Sequence, residues 1–165
     1  MTSEHLLHTI PPIYDGNSKI LILGSFPSVK SREVSFYYGH PQNRFWRVLA
    51  AVLGCAVPSS NEEKTVLLQS HNIALWDVIK SCDIVGSSDS SIKNVVPNDI
   101  GAILSSCGIR QIYSNGKTSE KLFNKYIKDT VGRDTVALPS TSPANASYNL
   151  ERLTDSWSVI KNNIR

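Results

Sequence analysis

The chain has 165 residues, three cysteines, and 17 basic against 14 acidic side chains, a net charge of +3. At roughly 100–200 residues per domain, that length holds one core and excludes a second folded module. The longest apolar runs, Ile20 to Leu23 and Ile73 to Trp76, fall far short of the ~18 residues needed to span a bilayer. Residues 1–10 lack a basic start followed by an apolar stretch, so no targeting segment is read there and a cytoplasmic location is expected. Cys55, Cys82 and Cys107 are odd in number, with no Cys-x-x-Cys pair. Neither a disulfide framework nor a zinc site is indicated, and they read as small buried hydrophobes. The charge permits a polyanionic partner without requiring one.

Residues 1–18, polar and containing Pro11 and Pro12, read as an arm leading into a single domain over 19–165. Ile20-Leu-Ile-Leu23, ended by Gly24, fits a strand buried on both faces of a parallel sheet. From Pro41, Phe45, Val48, Leu49, Val52 and Leu53 recur at helical spacing up to Gly54; the pattern predicts an amphipathic helix with Pro41 near its first turn. A helix over 61–69 and a strand over 73–76 follow, with Asp77 either an acid or a helix cap. Residues 81–91, rich in Ser, Asp and Gly, read as a surface loop. Next come a helix over 97–106, a short strand over 109–113 and a helix over 117–128 with Leu122, Phe123, Tyr126 and Ile127 on one side and Lys117, Lys121, Lys125 and Lys128 on the other. A strand over 134–138, a loop over 139–147 and a helix over 148–160 close the chain. Strands alternating with helices predict a layered α/β fold with a mostly parallel sheet of about four strands.

Ligands of such sheets bind where loops leave the carboxyl ends of the strands, and three loops there are unusual. The first runs from Gly24-Ser-Phe-Pro-Ser28 to Asn43 and carries Phe36, Tyr37 and Tyr38 in succession. Core packing explains any one of these rings, but successive loop residues seldom point one way, so at least one ring faces a cleft and can stack on a planar ligand. Asn43, expected in the first turn of the following helix, is either a ligand-facing amide or a turn-fixing one. Lys30, Arg32, Arg44 and Arg47 against Glu33 make this stretch locally basic. The loop lacks the spacing of dinucleotide and P-loop phosphate cradles. The second loop is Ser114-Asn-Gly-Lys117. The third places Ser140, Thr141 and Ser142 between Pro139 and Pro143, a stiffened set of hydroxyls suited to phosphate oxygens or simply a strand-to-helix turn. The lysine stripe is a solvated helix face or part of a field that attracts nucleic acid. No nucleophile stands out: Ser25 and Ser28 lack a G-x-S-x-G elbow, and His5, His8, His40 and His71 show neither triad nor metal spacing. His5 and His8 fall in the arm, expected to be mobile.

Leu23-Gly-Ser-Phe-Pro27, Tyr37-Tyr-Gly-His-Pro-Gln-Asn-Arg-Phe-Trp46, Asn115-Gly-Lys117 and Leu138-Pro-Ser-Thr-Ser-Pro-Ala-Asn145, in this order, resemble the uracil-DNA glycosylase superfamily, and most closely its hypoxanthine-DNA glycosylase branch. The resemblance implies a three-layer αβα sandwich and a monofunctional enzyme without metal or cofactor that excises a deaminated base from DNA by hydrolysis of its N-glycosidic bond. Phe26 stands where the first motif of the superfamily holds a water-activating Asp or Asn. Asn43 then takes the part of the catalytic amide that orients water, and Tyr38 that of the base-stacking ring. Gly24, Ser25, Phe26 and Asn115 fall with Tyr38 among the base-binding positions, and Ser140, Thr141, Ser142 and Lys117 among the contacts to the DNA backbone. Leu138 replaces the frequent histidine of the last motif, so no imidazole serves the leaving base from that position. The alternatives are uracil or xanthine excision on the same fold, or a non-catalytic nucleic-acid-binding module; a monomer is expected.

Overall fold

The computed structural model describes residues 2–165; Met1, the first residue of the expected arm, lies outside the described residues. Four strands, β2 (Ile20–Gly24), β3 (Ile73–Asp77), β6 (Gln111–Asn115) and β7 (Thr135–Leu138), form one sheet in the order β3-β2-β6-β7, all parallel. Every residue of β2 is buried, as an unbroken Ile-Leu run in a central parallel strand requires. Alternation then divides the core. Ile20, Ile22, Ile73 and Leu75 pack with α2 (Phe45–Leu53), α3 (Asn61–Ser70) and α7 (Leu150–Trp157) on one face. Leu21, Leu23, Ala74 and Ile112 pack with α4 (Ile100–Ser106) and α5 (Lys117–Tyr126) on the other. This is the three-layer αβα arrangement that the resemblance implies, on the mostly parallel four-stranded sheet that the pattern predicts.

A second sheet was not expected. β1 (Glu4–Leu7), β4 (Ile79–Ile84) and β5 (Lys93–Pro97) pair antiparallel in the order β1-β4-β5. Two expectations are thereby corrected. The stretch 1–18 is not a loose arm: Glu4 pairs with Ile84, Ile10 and Ile13 are core residues, and Ile13 exchanges backbone hydrogen bonds with Leu75 at 3.0 and 2.8 Å. The stretch 81–91 is not all loop: Ser81, Cys82 and Ile84 are buried in β4. Pairing across more than 70 residues supplies an order that the local composition opposes.

Smaller differences concern element ends. Helix α2 starts at Phe45, so Pro41 and Asn43 precede it. The Asn43 Oδ1 instead accepts the Phe45 N–H at 2.9 Å, capping the helix from outside. A short helix, α1 (Val29–Val34), opens behind Ser28, whose Oγ accepts the Ser31 N–H. The helix expected over 117–128 divides into α5 and α6 (Lys128–Val131). The last helix is α7 followed by a 3₁₀ turn over Ser158–Asn162. Of the cysteines, Cys82 is buried, Cys107 half-buried and Cys55 exposed; only the first fits the buried-hydrophobe expectation. Among the described residues no helix is long and apolar enough to cross a membrane.

Candidate active site

The carboxyl ends of all four parallel strands open onto one cleft of about 620 Å³, lined among others by Gly24, Phe26, Tyr38, Asn43, Asp77 and Asn115. Ser25, Lys117, Ser140, Thr141 and Ser142 line it as well. The sheet therefore gathers every residue that the sequence placed in a site.

A half-buried hydrogen-bond chain joins the first, second and third loops. The Thr141 hydroxyl donates to Asn43 Oδ1 at 2.9 Å and accepts from Asn115 Nδ2 at 3.1 Å, while Asn115 Oδ1 accepts the Thr141 N–H at 3.1 Å. Thr141 is fully buried. Its side chain is thus a strut between two amides, which corrects its expected role as a phosphate contact. Asn43 Oδ1 receives two donors, the Phe45 N–H and the Thr141 hydroxyl, and both of its lone pairs are occupied. The donor Nδ2 is the end left free for the cleft. A flipped amide would set Nδ2 against a backbone N–H, so the assignment is fixed by chemistry.

Ser140 lies against Gly116, where a Cβ would stand 3.0 Å from the Ser140 Cβ and the backbone has φ +93°. A side chain at 116 is therefore excluded twice over. Ser140 and Ser142 remain half-buried at the rim and Lys117 is exposed at the start of α5. Arg44 is not part of a DNA-facing field. Its guanidinium donates to the carbonyls of Ser142 at 2.9 Å, Asn145 at 3.1 Å and Tyr148, tying α2 to the third loop. Lys30 pairs with Glu33 at 3.6 Å and Lys128 with Asp134 at 3.0 Å, so the local basic surplus is smaller than the sequence suggests.

The three successive aromatics separate as loop geometry requires. Tyr37 is buried, its hydroxyl donating to the Pro11 carbonyl at 2.8 Å. Phe36 stacks on Trp46. Tyr38 lines the cleft in the left-handed region, φ 53°, a strained setting for a non-glycine residue. One face of its ring stacks on Phe45 with centroids 4.1 Å apart. Its hydroxyl is buried, with no hydrogen-bond partner within normal geometry among the described residues, and is held well above its ordinary pKa, chiefly by burial and then by the charge of Asp77.

Two further groups meet at the cleft, one of them left open by the sequence and the other missed. Asp77, left there as an acid or a cap, ends β3 beside Gly24 and is buried on the cleft floor. His8, assigned to the mobile arm, has an imidazole only 1% exposed, with Nε2 2.7 Å from Asp77 Oδ2. An aspartate at the carboxyl end of a parallel strand was the available signal for the first. Nothing local marks the second, because its partner lies 69 residues away.

A parallel αβα sheet with a polar, aromatic-walled cleft at the carboxyl ends of its strands has the architecture of α/β proteins that bind their ligands at that edge. The chain matches the uracil DNA glycosylase superfamily over residues 11–162, and it belongs to that family. It is 36% identical over 137 residues to a hypoxanthine DNA glycosylase of Methanosarcina barkeri, covering 82% of this chain and 85% of the other. It is 34% identical over 152 residues to the hypoxanthine DNA glycosylase of Methanosarcina acetivorans, covering 91% and 94%. A solution NMR structure described as that of a "putative uracil DNA glycosylase" from Methanosarcina acetivorans superposes with a TM-score of 0.79 at 33% identity, over 92% of this chain and 94% of that one.

Proposed function

We propose that this chain is a monofunctional DNA glycosylase that takes a flipped deaminated base, hypoxanthine first, into the cleft and hydrolyses its bond to the sugar. The observation that carries this is the Asn43–Thr141–Asn115 chain, which fixes an amide N–H donor at the mouth of a base-sized cleft in a member of this family. Flipping exposes the base for reading at its polar edge and ring faces. Phe26 offers a ring as wall, and Tyr38 contributes its ring and buried hydroxyl to the floor.

Cleavage of C1′–N9 leaves positive charge on the sugar and negative charge on the departing purine. Water then bonds to C1′, and its displaced proton ends on the base or in solvent. Because Asn43 Oδ1 is saturated, this side chain acts through Nδ2. It holds a water by one oxygen lone pair or donates toward the charge developing on the base, and in neither case removes a proton. Fixed donors of this kind are worth about 10²–10³ in rate. Ser140, Ser142 and Lys117, which line the cleft, would meet the DNA backbone in this reading, and contacts of that kind set register without reading sequence.

The test is release of free base from duplex oligonucleotides carrying deoxyinosine, deoxyuridine or deoxyxanthosine. Native protein is expected to release hypoxanthine, and Asn43→Ala to lower the single-turnover rate by about 10²–10³ with binding retained. Absence of release from all three substrates, with DNA binding intact, would leave a binding module instead. A preference for uracil or xanthine would change the substrate and not the mechanism.

A further inference from the structure

The third loop has no regular structure between Leu138 and Leu150, yet most of its length is held by one residue of the first loop. The Arg44 backbone N–H donates to the Thr141 carbonyl at 3.1 Å. Its guanidinium donates to the carbonyls of Ser142, Asn145 and Tyr148, so the grip runs from Thr141 to Tyr148. Arg44 is half-buried, its Nε is buried without a partner, and no carboxylate pairs with it among the described residues. A cation withdrawn from water is costly unless its donors are met. The loop carbonyls are what meets them, and the guanidinium and the loop hold each other in place.

Resting on the proposed glycosylase activity, we propose that Arg44 is a positioning residue for base release: its guanidinium holds the third loop where the Thr141 hydroxyl can fix the Asn43 amide. Asn43 and Arg44 are neighbours in the chain, and both act on Thr141. Asn43 Oδ1 accepts from the Thr141 hydroxyl at 2.9 Å, while the Arg44 N–H takes the Thr141 carbonyl. Thr141 is thus gripped through its side chain and its backbone, and the Arg44 side chain pins the residues that follow it. The cation that the sequence assigns to a DNA-facing field acts inward, through the loop, on the amide beside it.

Removing the guanidinium leaves the loop its own turns. The Asn145 N–H still donates to the Ser142 carbonyl at 3.0 Å, the Tyr148 N–H to the Asn145 carbonyl at 3.3 Å, and the Asn145 amide to the Ser140 carbonyl at 3.0 Å. What is lost is the attachment of those turns to the start of α2. The loop can then shift as a body and carry Thr141 away from Asn43 Oδ1, which keeps only the Phe45 N–H. The amide is free to turn, and Nδ2 no longer points one way. A lysine cannot substitute, because the three carbonyls need donors spread over a planar fork and an ammonium offers a single point of charge.

The experiment is a double-mutant cycle on single-turnover base release from a deoxyinosine duplex, with thermal melting to show that each variant is folded. Arg44→Met keeps the apolar stem and removes the donors; Thr141→Val keeps the shape and removes the hydroxyl. Each is expected to lower the rate by about 10², the cost of a small misplacement. The double variant should lose about the same factor and not the product, because residues that act as one unit are not additive. Arg44→Lys, which keeps the charge, should stay well below the native rate. DNA affinity should keep its native salt dependence in Arg44→Met, whereas loss of a phosphate contact would lower the slope of log affinity against log salt by about 1. Losses that multiply, an unchanged rate in folded Arg44→Met, a full rate in Arg44→Lys, or a lowered salt slope each overturn the inference alone. A native protein that releases no base overturns the glycosylase reading with it. Should Arg44→Met not fold, Arg44→Lys takes its place in the cycle, and multiplying losses again overturn the proposal.

Discussion

The two faces of the central sheet are packed with different chemistry. On the α2 and α7 face the large side chains are Tyr37, Phe45, Trp46, Tyr113 and Trp157. On the α4 and α5 face the buried residues are Phe123 with Ile, Leu, Val and Ala, and the half-buried Trp76 and Tyr126 pack at its edge. The aromatic side chains carry polar tips as well as bulk, and those tips hold the site loops. The Trp157 indole N–H donates to the Pro139 carbonyl at 2.9 Å, the Trp46 indole N–H to the Tyr37 carbonyl at 3.1 Å, and Phe45 backs the Tyr38 ring. The aliphatic face supports the strands, with Ser119 donating to the Leu23 carbonyl at 2.7 Å. One face thus positions loops by directional contacts while the other supplies burial, which has no direction.

Truncation of the largest residue on each face gives the largest expected effect. Trp157→Ala and Phe123→Ala should each cost about 3–5 kcal/mol in denaturant unfolding. The milder pair sharpens the contrast. Trp157→Phe keeps most of the burial but loses the donor to Pro139, and at equal loss of stability it should slow base release more than Phe123→Leu does. Equal slowing would mean that the aromatic tips do not position the loop.

Gly24→Ala comes next, at the point where the loops, Tyr38 and Asp77 converge. The added methyl must displace the Asp77 carboxylate. Base release should fall about 100-fold while stability changes by about 1–3 kcal/mol, the usual cost of overpacking. Retained release would show that the floor relaxes freely. The smallest effect is expected at the exposed rim: Lys117→Ala should weaken binding uniformly across sequences and lower the slope of log affinity against log salt by about 1. A change in base preference there would contradict a backbone role.

Several elements were legible because their signal is local. The run at 20–23, the spacing from Phe45 to Leu53, and the apolar side of the helix that begins at Lys117 each name their own structure. Asn43, Asn115 and Thr141 were singled out through ordered motifs, and the structure brings them to one cleft, but the hydrogen bonds among them were not legible. Which end of the Asn43 amide is free depends on Thr141, 98 residues away. Arg44 looked like a DNA-facing cation, yet it has three carbonyls to satisfy inside the protein.

By itself the sequence determined the three-layer core, the carboxyl-edge location of the site and the family. Burial periodicity and turn residues act over a few positions and survive in a linear reading. The tertiary structure alone decided that residues 4–7 form a strand, that 79–84 is its partner, and that His8 stands behind Asp77. Those contacts join segments about 70 to 80 residues apart. Neither segment has a pattern strong enough to specify a strand without the other, so the pair at the cleft floor exists only once the chain has folded.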